Sequence, residues 1–181
     1  MSAQHPKLIF LIGFMGSGKS HEGHMLAKHL DLPFIDLDGW IEEQQNRTIS
    51  EIFRTEGEDS FRNIETAALQ QAAHQLLSQS VSSTYAGIIS TGGGTPCFHD
   101  NMEWMNANGV TVWLNLPVAV LAMRLSKEKS KRPLIANLND GELYQFIEKK
   151  LEERYPYYSM STLTIDDVMD PSTLTQKISN A

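Results

Sequence analysis

Gly13-Phe14-Met15-Gly16-Ser17-Gly18-Lys19-Ser20 is the stretch of this chain whose residue types and spacing most directly imply chemistry. It fits G-x-x-x-x-G-K-[ST], a loop that cradles phosphate. Glycines let successive backbone N–H groups turn inward and approach phosphate oxygens with no Cβ in the way. A helix starting near Gly18 adds the positive end of its dipole. Lys19 reaches toward β- and γ-phosphates, and the Ser20 hydroxyl is a ligand for Mg²⁺.

Such a loop implies a nucleotide but not a reaction, so the other polar groups decide more. No acid ends the strand-like "GIIS" before Gly92. Asp36 and Asp38 stand at the carboxyl end of "PFIDLD" instead, where open α/β sheets bind ligands. In an extended segment their spacing of two puts both on one face, one for a metal and one for a substrate hydroxyl. The plainer alternative is that Asp38 caps the following helix. Arg62 in "DSFRNIE" and Arg154 in "EERYPYY" sit among apolar or aromatic neighbours. Arginine suits bidentate capture of a carboxylate, and Glu65 is placed to hold Arg62 by an i,i+3 pair. Gly92, Gly93 and Gly94 in "STGGGTP" follow a strand and suggest close backbone approach to a ligand, with a plain turn as the alternative. "HEGH" (21–24) has two histidines three apart but not H-E-x-x-H, and reads as surface histidines rather than a metal site.

The elements that must carry these groups alternate strand and helix. "KLIFLI" (7–12), "PFIDLD" (33–38), "AGIIS" (86–90), "GVTVWLNL" (109–116) and "STLTID" (161–166) read as strands. Helical patterns cover 18–30, one or two short helices in 39–56 with Thr48 or Ser50 as caps, 57–79, the segment after Pro117, 141–153, and the segment from Pro171. In 57–79 the inner side carries Phe61, Ile64, Ala68 and Leu76. Residues 126–141 have no clear period and carry Lys127, Lys129, Lys131 and Arg132, which reads as a mobile loop, with Pro133 fixing the backbone just after Arg132. Strands separated by helices imply a parallel sheet covered on both faces.

Composition excludes several classes. The 181 residues suit one domain, 1–181, and the 41% apolar and 20% charged content is that of a soluble globule. The net charge of -7 lacks the basic footprint of a nucleic-acid binder. One cysteine, Cys97, cannot form an internal disulfide. "MSAQHPK" has no signal-like apolar core, and no apolar run approaches a membrane span. The expectation is a cytoplasmic chain without nucleic-acid or membrane partners.

Taken together, "GFMGSGKS", "DLD" (36–38), "GEDSFRNIE" (57–65), "TGGG" (91–94), "KRPLI" (131–135) and "ERYPYY" (153–158) resemble the shikimate kinases, of the nucleoside monophosphate kinase-like branch of P-loop proteins. The motifs occur in the family's order from about Lys7 to Asp166. The resemblance implies a three-layer α/β/α P-loop fold with a five-stranded parallel sheet of order 2-3-1-4-5. It also implies a small substrate-binding helical region at about 38–65 and a lid at about 126–141. The implied reaction moves the ATP γ-phosphate to the 3-hydroxyl of shikimate, with Mg²⁺, on the route to chorismate and the aromatic amino acids. Carried over, Gly13, Gly16, Ser17, Gly18, Lys19, Ser20, Arg124 and Arg132 are ATP-binding, Arg124 on adenine and Arg132 from the lid. Asp38, Arg62, Gly92, Gly93, Gly94 and Arg154 bind shikimate, the arginines on its carboxylate. Lys19, Asp38 and Arg132 are catalytic. Ser20 and Asp36 are on the magnesium side. "SHEGH" departs from the small and β-branched residues usual there, yet Ser20 still supplies its hydroxyl. The expected state is a monomer. Rival readings are a related kinase of gluconate or another polyol acid, and a catalytically dead nucleotide-binding module. Paired arginines and "TGGG" oppose the first, and intact Lys19, Ser20, Asp38 and Arg132 oppose the second.

Overall fold

The computed structural model describes residues 6–80, 84–129, 132 and 134–181. Lys131 and Pro133 of the basic loop, and residues 1–5 of the N-terminal stretch, lie outside the described residues. In chain order the elements are β1 (Lys7–Ile12), α1 (Lys19–Leu30), β2 (Phe34–Asp36), α2 (Leu37–Gln45), α3 (Ile49–Gln79) and β3 (Tyr85–Ser90). A 3₁₀ turn (Thr95–Cys97) leads to α4 (Asn101–Asn108), β4 (Gly109–Leu114), α5 (Val118–Ser126), α6 (Asp140–Tyr158), β5 (Leu163–Ile165) and α7 (Pro171–Ser179).

The sheet has five strands in the order β2-β3-β1-β4-β5, and every pairing is parallel. β1 is central and apolar from Leu8 to Ile12, because both of its faces are covered there. Leu8, Phe10 and Ile12 pack with Phe61, Leu69 and Leu76 of α3 on one face. Ile9 and Leu11 pack with Leu26 of α1 and Leu174 of α7 on the other. This is the three-layer α/β/α arrangement that the sequence implied. Parallel strands bring all their carboxyl ends to one edge, which is where the loop at 13–18, Asp36 and the three glycines emerge.

Several boundaries differ from the sequence reading, and the differences matter for the site. The strand expected over 33–38 stops at Asp36, and α2 starts at Leu37. Asp36 is its N-cap, with the side chain accepting from the Gly39 N–H at 3.4 Å. Asp38 therefore lies in the first turn of a helix, and the two acids do not share one face of a strand. The short helix expected before residue 57 and the longer one expected over 57–79 are both present and run together as α3, breaking at Gly57; of the two expected caps, Thr48 and not Ser50 opens the first. Thr48 Oγ1 accepts from the Glu51 N–H at 3.2 Å, while the Glu51 carboxylate accepts from the Thr48 N–H at 2.8 Å. Two helical stretches join inside α3 at Gly57, whose φ of 83° suits a glycine. The helix expected over 141–153 runs to Tyr158, through Pro156. The last strand narrows to 163–165. α4 was not expected: Met102 and Met105 are its buried apolar residues, too few to set a visible period. The basic loop is anchored by Ile135, fully buried against Phe14, Leu125, Leu143 and Ile147. Among the described residues no helix is long and apolar enough to cross a membrane.

Candidate active site

The phosphate loop begins where β1 ends. Gly13, Gly16 and Gly18 have φ of 142°, 80° and 98°. At Gly13 a Cβ would come within 2.9 Å of the Leu114 carbonyl oxygen, so conformation and space both demand glycine there. Lys19 opens α1 and is buried; its Nζ donates to the carbonyls of Gly13 at 2.9 Å and Phe14 at 3.1 Å. Burial lowers its pKa to about 8, against the opposing pull of Asp38 and Asp36. Ser20 Oγ donates to the Asp36 carboxylate. Arg124, from α5, donates through Nη1 to the carbonyls of Gly16 and Ser17, each at 3.1 Å, which locks α5 to the loop.

Two cavities flank this loop. The first, of about 500 Å³, is lined by Gly16, Gly18, Lys19, Ser20, Asp36 and Arg124 among others. The second, of about 280 Å³, is lined by Phe53, Phe61, Arg62, Gly92, Gly94 and Arg154 among others. Met15, Asp38, Gly93 and Arg132 line both, so they form the wall between the two. Gly13 and Ser17 line neither cavity; Ser17 Oγ is buried behind the loop with no hydrogen-bond partner among the described residues. His21 lines the first cavity, and the His24 ring lies 4.2 Å from that of Phe34.

Asp38 opens onto the cavities, yet the surrounding walls displace enough water to push its pKa up to about 6. Asp36 adds to the rise and Lys19 opposes it. At neutral pH it is a carboxylate with a usable proton affinity, which suits a general base.

The two arginines of the second cavity are held differently. Arg62 donates from Nε and Nη2 to Glu58 at 3.3 and 3.0 Å, and from Nη1 to Glu65 at 2.9 Å. Its guanidinium also lies over the Phe98 ring, 4.1 Å from the centroid. Three of a guanidinium's five N–H donors are thus engaged, which leaves two for a ligand. Arg154 lies over Phe14 at 5.2 Å, and among the described residues its buried Nη1 has no hydrogen-bond partner. An orphaned, buried cationic donor facing a cavity is what an anionic ligand would satisfy. The glycines bring backbone against these cations. A Cβ at Gly93 would lie 3.0 Å from Arg154 Nη1, and one at Gly94 would lie 2.7 Å from Arg62 Nη1.

Arg132 also reaches the wall, on a loose tether. Its Nη2 is 3.4 Å from Glu128, and its buried Nε has no partner among the described residues.

The sequence reading named Arg62 and its Glu65 brace, but not Glu58, Phe98, Thr95 or Tyr158. Glu58 was legible as an i,i+4 partner of Arg62. Thr95, which donates to Glu65 at 2.6 Å, and Phe98 approach only through the turn after β3.

The sequence model of one family, described as shikimate kinase, matches residues 15–181. A shikimate kinase of Phocaeicola vulgatus is 47% identical over 83% of this chain and 81% of its own. The crystal structure of shikimate kinase from Bacteroides thetaiotaomicron superposes with a TM-score of 0.81 at 39% identity, over 96% of this chain and 95% of that one. That of Acinetobacter baumannii, in complex with shikimate, gives 0.79 at 30% identity, over 98% and 93%.

Proposed function

The chain belongs to the shikimate kinase family, and from that premise we propose how its residues divide the reaction. It is an ATP-dependent enzyme of aromatic biosynthesis that phosphorylates the 3-hydroxyl of shikimate, giving shikimate 3-phosphate and ADP.

ATP occupies the first cavity, with its phosphates against the backbone of Gly16 and Gly18 and the ammonium of Lys19. Arg124 flanks the nucleotide at the adenine end. Gly13 and Ser17 act from behind, shaping the loop rather than lining the cavity. Shikimate occupies the second cavity. Its carboxylate satisfies the free Nη1 of Arg154 and the remaining donors of Arg62, while Gly92, Gly93 and Gly94 let the ring approach. Asp38, on the shared wall, accepts from the 3-hydroxyl and takes its proton as the oxygen attacks phosphorus. Lys19 and Arg132 stabilise charge on the moving phosphoryl group.

The residues fit a magnesium ion. Ser20 and Asp36 offer hard oxygen donors already in contact, and Mg²⁺ is usually held by few protein oxygens with phosphates completing its shell. When bound, the ion would neutralise phosphate charge. The chain acts as one domain, 1–181, with a substrate region at about 38–65 and a lid at about 126–141. It works in the cytoplasm as a monomer.

The observation that carries these roles is the shared wall, because transfer needs the acceptor hydroxyl and the γ-phosphate to meet at one place. ADP release with shikimate, quinate and gluconate offered separately tests the substrate. Shikimate should give the highest kcat/KM, and a higher value for either of the others would contradict the reading.

A further inference from the structure

Tyr158 is fully buried at the end of α6, beyond any contact the reaction itself requires. Its hydroxyl donates to the carbonyl of Gly93 at 2.6 Å. Gly93 belongs to the wall shared by both cavities, and a Cβ there would lie 3.0 Å from Arg154 Nη1. Arg154 sits one turn earlier on the same helix, at i−4 from Tyr158, so both side chains leave α6 toward one side. The Tyr158 ring is braced by Trp113 of β4, 5.6 Å between centroids. Burial pushes the phenol up to about 12, with Arg154 opposing, so the hydroxyl stays a donor across any working pH.

We infer that Tyr158 is a positioning residue for the acceptor site: its hydroxyl pins the Gly93 carbonyl and thereby fixes the spacing between the glycine wall and the Arg154 guanidinium. The proposal rests on the reading that shikimate occupies the second cavity. Three facts make the arrangement more than packing. A bare ring would fill the same space, yet this one carries a hydroxyl that donates to the Gly93 carbonyl and lies beside the Arg154 guanidinium. That carbonyl lies in a glycine run with little side-chain packing of its own to hold its peptide planes. And α6 supplies both the strut and the cation, so a shift of the helix against the wall would move the two together only while the hydroxyl bond holds. Pro156 lies between Arg154 and Tyr158 and removes one helical N–H, which weakens the backbone's own hold on this last turn. The tie to Gly93 substitutes for it.

The test is steady-state kinetics of wild type, Tyr158→Phe and Tyr158→Leu, with shikimate and with its methyl ester as acceptors. Tyr158→Phe keeps the ring and removes the hydroxyl. It should raise KM for shikimate about tenfold, the scale of one lost buried hydrogen bond, and leave KM for ATP unchanged. It should also narrow the preference for the free acid over the ester, a readout that loss of stability alone would not move. Tyr158→Leu should show the same defect together with a lower Tm from lost packing. If Tyr158→Phe matches wild type in both KM and acid preference while Tyr158→Leu is impaired, the ring matters and the hydroxyl does not, and the proposal is overturned. An equal rise in both KM values also overturns it. A wild type that does not turn over shikimate would remove the substrate reading and this proposal with it; a missing Tyr158→Phe effect removes this proposal alone.

Discussion

The first cavity takes its phosphate-binding wall from Gly16, Gly18, Lys19 and Ser20 of one short stretch, with Asp36 and Arg124 closing the sides. The second gathers Phe53 and Arg62 from α3, the glycines after β3, and Arg154 from α6. The nucleotide site therefore rests on backbone donors at a helix start, whose geometry the loop sets locally. The acceptor site rests on charged side chains, whose geometry must be set by tertiary contacts. Even its two arginines differ. Arg62 is braced by Glu58 and Glu65, whereas Arg154 keeps a free buried donor. Local loops bind what many proteins bind; the assembled cavity is where this chain can be selective.

The largest effect should come from the wall where the two designs meet. Arg132→Ala is expected to lower kcat by a factor on the order of 10²–10³, the loss typical of one transition-state donor. Shikimate binding to the nucleotide-free protein, read by calorimetry, should stay nearly normal. A kcat close to wild type would mean that Arg132 does not reach the phosphates.

Next come the arginines, and here the contrast sharpens. Arg154→Ala should weaken shikimate binding by roughly 2–5 kcal/mol, the range for truncating one member of a buried charge pair. Its ATP affinity and Tm should change little. Arg62→Ala should cost shikimate affinity and also stability, because the Glu65 side chain is 1% exposed and would be left as a buried charge without its partner. Equal Tm losses for the two variants would erase the distinction between braced and free cations.

Gly94→Ala should act more mildly but on one cavity alone. Its Cβ would meet Arg62 Nη1 and Nη2 at 2.7 and 2.8 Å and displace the guanidinium. KM for shikimate is expected to rise on the order of tenfold, about 1.4 kcal/mol of misplaced charge-assisted bonding, with KM for ATP unmoved.

The phosphate loop and the glycine turn of "TGGG" were legible because each rests on residues contiguous in the chain, whereas the order of the strands, which is not local, came only with the family resemblance. Asp36 and Asp38 show the limit. Their place at the carboxyl end of a strand was readable, but not that Asp36 caps α2 and turns Asp38 into a helix. That outcome depends on a side chain competing with a strand for the Gly39 N–H. Tyr158 was invisible for a different reason: a proline two residues earlier argues for a helix end, and tertiary anchoring to Gly93 and Trp113 overrides it. The braces on Arg62 divide along the same line, Glu58 and Glu65 by spacing, Phe98 only in three dimensions.

The smallest effects should appear on titration. With Asp38 raised to about 6, kcat/KM should climb with pH as its carboxylate forms. With Lys19 lowered to about 8, it should decline as the ammonium is lost. The stability sign is opposite for Asp38: its folded-state value lies above the unfolded one, so ionisation costs the fold stability as pH rises from about 4 to 6. A flat profile from pH 5 to 9 would show that neither group titrates in a step that matters.

The most direct test of transfer across the shared wall is a single turnover by Asp38→Asn with both substrates saturating. The amide keeps the shape of the wall and removes the base. Binding of ATP and of shikimate should persist, while the rate of phosphoryl transfer should fall by a factor on the order of 10²–10⁴, the usual contribution of a positioned general base. Transfer at close to the wild-type rate, with both ligands bound, would contradict the account.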